Sequence, residues 1–150
     1  MASSNDGPAN STALTSDVRA FLGSGTRTGK LGWVASDGRP LVAPVWFVLE
    51  DDGVVFNTGS GTAKGKAIAR DPRVVLTVDL EEPPYGFVQI QGVAETSEDP
   101  ADLIATATAI GGRYMGQERA EEFGTRNGVP GELVVRIRPT KVTAALNVTG

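Results

Sequence analysis

The stretch VVFNTGSGTAKGKAIARDPRVVL, residues 54–76, contains the changes of pattern that decide the fold. Its first five residues have the β-branched and aromatic character of a strand. Small and hydroxyl-bearing residues follow. A helix beginning near Thr62 must then end at Asp71, because Pro72 disfavours helical geometry at the residue before it. A second strand is predicted over 73–80. The stretch therefore predicts strand, loop, helix and strand in close succession.

The sequence before this stretch alternates apolar segments with turn residues. A short helix capped by Ser16 is predicted first, followed by strands over 30–35, 40–49 and 54–58. Residues 41–49 are apolar on both alternating faces. We therefore expect this strand to have the core on one side and a helix or a second subunit on the other.

The sequence after residue 86 predicts a strand, a long helix and a final strand. Residues 87–94 alternate between apolar and polar, with Gln89 and Gln91 either facing a wet cavity or lying on an exposed outer face. Asp99 caps a long helix, and the final strand covers 132–138. This order predicts an α+β, mainly β fold of about six antiparallel strands closing into a small barrel with flanking helices.

The length of 150 residues fits a single domain. Residues 1–13 are small and polar, and they lack the basic start and apolar centre of a secretory signal. We therefore expect a flexible tail over 1–13, a cofactor-binding domain over 14–150 and a cytoplasmic location. No apolar run approaches the roughly 20 residues of a membrane-spanning helix, so no membrane span is predicted.

The composition excludes several kinds of chemistry. The chain has no cysteine and no histidine, so thiolate and histidine catalysis and the common zinc and haem ligands cannot be built. A net charge of -4 argues against broad nucleic-acid binding. Any enzymatic activity would therefore depend on a bound organic cofactor.

Positive charge is concentrated in one segment of this acidic chain. Lys64, Lys66, Arg70 and Arg73 lie within ten residues. The segment is either a dedicated anion site or the solvated face of a helix.

Three stretches carry a resemblance to a known family: SDGRP with PVWFV (36–40 and 44–48), residues 54–76, and FVQIQGVAE (87–95). From about residue 21 to 146 the chain resembles the split β-barrels similar to pyridoxamine 5′-phosphate oxidase, the flavin/deazaflavin oxidoreductase superfamily with the FMN-binding split-barrel fold. Residues 54–76 resemble the branch that binds the deazaflavin F420. There, a lysine seven residues before the aspartate of an RDPRV-like motif contacts the anionic cofactor tail. Lys64 is the matching residue.

The resemblance implies a cofactor site made from two segments. The strand formed by Pro44, Val45, Trp46 and Phe47 would lie along the tricyclic ring. The second segment comprises Asn57, Thr58, Gly59, Ser60, Gly61, Thr62, Ala63, Lys64 and Lys66. Physical chemistry supports an anion site in this second segment, because it combines small residues, hydroxyl groups, a helix start and two lysines.

The resemblance also implies an activity: an F420-dependent oxidoreductase that transfers a hydride between the cofactor and a small electron-poor acceptor. A homodimer is expected, with the cofactor site at or near the subunit interface. With no histidine, the proton donor would be water, Tyr85, Lys30 or Tyr114. Two alternatives stay open: an FMN-binding oxidase or flavin reductase of the same fold, and a non-catalytic F420 carrier. A haem-binding split barrel is poorly supported because the common axial ligands are missing.

Overall fold

The computed structural model describes residues 8–150. Within that range there are eight strands: β1 (Ala9–Ser11), β2 (Gly29–Val34), β3 (Pro40–Val45), β4 (Val48–Glu50), β5 (Gly53–Gly59), β6 (Arg73–Asp79), β7 (Phe87–Ser97) and β8 (Glu132–Ala145). The same range contains four α-helices: α1 (Ser16–Gly23), α2 (Ala63–Arg70), α3 (Pro100–Met115) and α4 (Ala120–Asn127). A 3₁₀ turn, Gln117–Arg119, joins α3 to α4.

All eight strands belong to one antiparallel sheet in the order β3-β2-β6-β7-β8-β5-β4, with β1 added to β8. The two edges of this path, β3 and β4, are separated in sequence only by Trp46 and Phe47. A link of that length spans roughly 10 Å, so the sheet must curl until its edges approach each other. The result is an open, curved antiparallel sheet, and the predicted mixed α and β class is confirmed.

The prediction of about six strands was wrong, for two reasons. The strand predicted over 40–49 is broken at Trp46 and Phe47, which separate β3 from β4. Residues 9–11, expected to be part of the tail, pair with Val142 to Ala144 as β1. Residues 1–7 of the predicted tail lie outside the described residues. The final strand is also longer than predicted, since it continues to Ala145.

Helices α2 and α3 begin where the capping residues indicate, but the prediction for α1 was wrong: Thr15 caps this helix by accepting from the Val18 N–H, and Ser16 is its first residue. Thr62 caps α2 by accepting from the Gly65 N–H, and Asp99 caps α3 by accepting from the Asp102 N–H. Helix α4, Ala120–Asn127, lies between the long helix and the final strand and was not predicted from the sequence as a separate helix.

A core fills the concave side of the sheet, and its largest fully buried side chains include Phe47, Phe56, Leu22, Leu31 and Ile68. Helix α3 packs on the opposite side of β5, where its Leu103 forms a smaller apolar cluster with Val55 and Val134. None of the helices in residues 8–150 is long and apolar enough to cross a membrane.

Two arginines hold the first and last turns of α3 against the strands. Arg136 of β8 forms ion pairs with Asp102 in the first turn at 2.6 Å and with Glu50 of β4 at 2.7 Å. Arg113 in the last turn donates to the backbone oxygen of Phe47 at 2.8 Å. The middle of α3 is therefore held over β5 at a fixed position.

Candidate functional site

A cavity of about 390 Å³ lies where the end of β5 meets α2, α3, α4 and the start of β8. Its lining consists of Pro44, Val45, Trp46, Asn57, Lys64, Ala107, Ile110, Asn127 and Glu132. The structure thus brings together in one cavity Pro44, Val45, Trp46, Asn57 and Lys64, which were predicted from two separate segments.

Larger depressions lie elsewhere on the described chain. One of about 620 Å³ lies between β1 and the end of β8, and one of about 610 Å³ lies on the outer face of β2, β6 and β7. The smaller cavity is the candidate site because, of these three, only its lining combines an amide with both polar atoms buried and unpartnered, a partly buried lysine and a partly buried carboxylate.

The side chain of Asn57 is the most informative feature of this cavity. Along β5, Val54 and Phe56 belong to the main core, whereas Val55 packs against α3. Because side chains alternate along a strand, Asn57 lies on the α3 side with Val55. Its Oδ1 and Nδ2 atoms are both buried and have no hydrogen-bond partner among residues 8–150. Such groups are costly unless something satisfies them, so this amide indicates a ligand with both a donor and an acceptor.

Lys64 and Glu132 bring opposite charges to the same cavity. Burial lowers the pKa of Lys64, and the negative charge of Glu132 partly offsets this effect. Burial raises the pKa of Glu132, with Lys64 acting in the opposite direction. No ion pair within 4.0 Å joins these two side chains in the described chain. Both groups are therefore available to a bound molecule.

The position of Lys64 is fixed by close contact between α2 and β5. The Thr62 hydroxyl donates to the Gly59 oxygen at 2.7 Å and accepts from the Gly65 N–H at 3.0 Å. A Cβ atom at Gly65 would collide with the Gly59 carbonyl, so only glycine allows the helix to approach the strand so closely. This contact places the first turn of α2, with Lys64, at the edge of the cavity.

The other predicted residues do not line the cavity. Phe47 is fully buried in the core, and Thr58 is also buried. Ser60 bonds through its N–H and its hydroxyl to the Gly131 oxygen. The remaining predicted residues are close in sequence to Asn57 and Lys64 but do not line the cavity: Gly59, Gly61, Thr62, Ala63 and Lys66. Of these, Gly61, Thr62, Ala63 and Lys66 are exposed.

The basic segment does not converge on one point. Arg70 donates to the Val34 oxygen at 3.2 Å. Arg73 pairs with Asp71 at 2.7 Å and thereby lowers the pKa of that carboxyl to about 2. Of the four cations, only Lys64 contributes to the cavity lining.

Three predicted proton donors also lie outside the lining. Lys30 pairs with Asp79 at 3.1 Å. Tyr85 is exposed in the loop after β6. The Tyr114 hydroxyl accepts from the Phe47 N–H at 3.3 Å and donates to the Arg27 oxygen at 2.9 Å, and burial raises its pKa.

Sequence reasoning missed four residues of the lining: Ala107, Ile110, Asn127 and Glu132. They come from α3 and β8, which contact β5 only through long-range packing, and from α4, which packs on α3. No local pattern distinguishes them. The register of Glu132 opposite Gly59 could be found only once β8 was known to pair with β5.

Comparison with known proteins gives a family match over most of the chain. Residues 14–145 match the family model described as pyridoxamine 5′-phosphate oxidase. No protein of curated function matched the sequence significantly.

Several solved structures have similar folds. A conserved hypothetical protein from Mycobacterium tuberculosis is 23% identical, with a TM-score of 0.77, over 93% of this chain and 89% of the other. An F420 reductase is 24% identical, with a TM-score of 0.65, over 81% and 93%. An FAD-binding protein from Mesorhizobium loti is 18% identical, with a TM-score of 0.63, over 91% and 96%. At these identities the likeness establishes the fold.

Proposed function

Because the chain belongs to the pyridoxamine 5′-phosphate oxidase family, we propose that its cavity binds a flavin-type cofactor, the deazaflavin F420. The observation that carries this proposal is the Asn57 carboxamide, whose donor and acceptor are both buried without a partner among the described residues. The pyrimidine edge of a flavin or deazaflavin ring offers both acceptors and donors, and so can satisfy both atoms of this amide.

The rest of the cavity fits such a group. Its volume of about 390 Å³ lies within the roughly 300 to 1,000 Å³ of cofactor sites. Val45, Ala107 and Ile110 supply apolar surface. Lys64 supplies a positive charge for an anionic tail, and the first turn of α2 has amide groups without intrahelical partners.

Backbone groups are also available beside the cavity. In the described sheet β3 is an edge strand that pairs only with β2, so one side of its backbone is free. The Phe47 N–H and oxygen are already engaged by Tyr114 and Arg113. The backbone groups of Val45 and Trp46 are therefore the ones that can contact the ring, while the Phe47 side chain is buried in the core.

We propose an oxidoreductase activity for this site. When bound in its reduced form, F420 supplies a hydride to an electron-poor organic acceptor. The protein residues bind and orient the reactants and exclude water. Glu132 is the carboxyl group in the lining, and its raised pKa suits it to hold a proton at a side-chain oxygen.

The choice of F420 is supported by the resemblance of residues 54–76 to the F420-binding branch and by the similar fold of an F420 reductase. FMN is the second candidate, because Lys64 is the single cation lining the described cavity and FMN ends in a single phosphate. The similar fold of an FAD-binding protein is compatible with this alternative.

A homodimer is also part of the proposal. Leu41, Val42 and Val93 are large apolar side chains exposed on β3 and β7. The neighbouring Trp33 has a buried Nε1 atom without a partner in the described chain. A second copy covering this face would bury the exposed surface of the three apolar side chains.

The first experiment is a titration of the purified protein with F420 and, separately, with FMN, followed by fluorescence. We expect tight binding of F420 and weak binding of FMN. Preference for FMN would assign the protein to the second candidate, and binding of neither would contradict the proposal. Oxidation of reduced F420 with a panel of enone and imine acceptors then separates an enzyme from a carrier, since a carrier binds without turnover.

A further inference from the structure

The link between the two edge strands is held by α3 rather than by the sheet. The last β3 pair is Val45 with Gly29, and the first β4 pair is Val48 with Val55. Phe47 thus lies between the two ladders. Its N–H donates to the Tyr114 hydroxyl at 3.3 Å, and its oxygen accepts from Arg113 at 2.8 Å. Two successive residues of α3 therefore satisfy both backbone groups of Phe47.

Arg113 also binds a second chain segment, around Leu22 and Gly25, next to Phe47. Its guanidinium also donates to the backbone oxygens of Leu22 at 2.6 Å and Gly25 at 3.1 Å, and it lies 4.6 Å from the centroid of the Phe47 ring. The Tyr114 hydroxyl donates to the Arg27 oxygen at 2.9 Å. The position of the Tyr114 ring is therefore fixed by two chain segments distant in sequence.

The Tyr114 ring in turn stacks against the Trp46 indole. The two rings are parallel, with centroids 4.9 Å apart and an interplanar angle of 2°. Trp46 lines the cavity and remains 39% exposed. A side chain this exposed would otherwise exchange between rotamers, but the stacking contact favours one orientation.

We propose that Tyr114 is a positioning residue that holds the Trp46 indole in a fixed orientation at the cavity and so sets the affinity for a planar ring bound there. This inference rests on the proposed function of the cavity. The mechanism is preorganisation: a wall that is already ordered loses less conformational freedom when the ligand binds.

The test uses Tyr114→Phe, which keeps the stacked ring but removes the hydroxyl that anchors it. Tyr85→Phe is the matched control, because Tyr85 is the only other tyrosine and is exposed away from the cavity. Both are made in a Trp33→Phe background, which leaves Trp46 as the only tryptophan. Trp46 emission and quenching by acrylamide are measured first, and binding of F420 and of FMN is measured by equilibrium dialysis.

We expect Tyr114→Phe to increase the quenching of Trp46 and to raise the Kd of the preferred cofactor about five-fold, the loss of one hydrogen bond. Tyr85→Phe should change neither quantity. Unchanged quenching or unchanged Kd in Tyr114→Phe, while the parent binds cofactor, would overturn the positioning role alone. A parent that binds neither cofactor would overturn the proposed function and this inference together.

A double-mutant cycle separates positioning from a general loss of structure. If Tyr114 acts through Trp46, then Tyr114→Phe should not raise the Kd further in a Trp46→Ala protein. A merely structural role would weaken binding equally in both backgrounds, which would contradict the proposal. Thermal unfolding of each variant identifies any protein that has lost its fold.

Discussion

The two faces of strand β5 differ in how completely their side chains find packing or hydrogen-bond partners. On one face, Val54 and Phe56 are almost completely buried in the main core. On the other face, Val55 packs under α3, but the next residue on that side, Asn57, has a buried amide without a partner in the described chain. Lys64 and Glu132 add partly buried charges beside it.

This difference separates stability from binding within a single strand. Apolar residues on the concave face lower the free energy of the folded state. Buried unsatisfied polar groups raise it, and such groups persist where a ligand repays their cost. The contrast predicts that substitutions on the two faces have opposite consequences.

The largest expected effect is on the concave face. Phe56→Ala removes a fully buried aromatic side chain and should reduce the free energy of unfolding by about 3–5 kcal/mol. Urea unfolding followed by circular dichroism measures this loss. A loss below about 1 kcal/mol would mean that neighbouring side chains fill the space left by Phe56 and that this face is less tightly packed than described.

The second prediction concerns the cation on the binding face. Lys64→Gln should weaken binding of the anionic cofactor by about 10- to 100-fold, because a charge-assisted contact sheltered from solvent is lost. Lys66→Gln is the matched control, since Lys66 has the same chemistry but lies exposed outside the cavity. Equal losses in the two variants, measured by fluorescence titration, would contradict a specific role for Lys64.

The third prediction addresses the unpartnered amide. Asn57→Val removes a buried donor and acceptor and introduces a good strand former. We expect cofactor affinity to fall by about ten-fold while the free energy of unfolding stays constant or rises by about 1 kcal/mol. Titration and urea unfolding of the same preparation test both parts. A marked loss of stability would indicate that the amide has a structural partner, such as an ordered water.

The smallest expected effect is the pH dependence of binding. Burial lowers the pKa of Lys64, so its positive charge is lost at a lower pH than that of an exposed lysine. Because the charged form attracts the anionic tail, the Kd should begin to rise below the pH of about 10.4 at which an exposed lysine is half-deprotonated. Lys64→Arg should remove this rise, because arginine keeps its charge. A rise that persists in Lys64→Arg would assign it to another group.

Much of the fold could be predicted because its signals are local. The caps Thr62 and Asp99, the stop at Pro72 and the alternation over 87–94 each lie within a few residues of the element that they define. The break after β3 had no such signal. Trp46 and Phe47 continue the apolar pattern, and only hydrogen bonds from α3 explain how the chain leaves the sheet there.

The candidate site was predictable where its residues lie in the stretches that carry the family resemblance, which include Pro44, Val45 and Trp46 as well as Asn57 and Lys64. Asn57 and Lys64 were found because both belong to the stretch that resembles the F420-binding branch. Lys66 belongs to the same stretch, but its side chain is exposed outside the cavity, a difference that sequence spacing alone did not reveal. Ala107 and Glu132 required knowledge of which elements pack against β5.

The place of β8 in the sheet has a consequence for the order in which the molecule is assembled. Strand β8 lies between β7 and β5, so without it β1 has no partner and the other strands fall into two separate groups, β3-β2-β6-β7 and β5-β4. During synthesis β8 is the last of the described strands to emerge from the ribosome. The two groups can therefore be joined only by β8, and the cavity, which needs Glu132 and the end of β5 together, is completed only after β8 has been synthesised. A ligand of this cavity would therefore bind after β8 has joined the sheet.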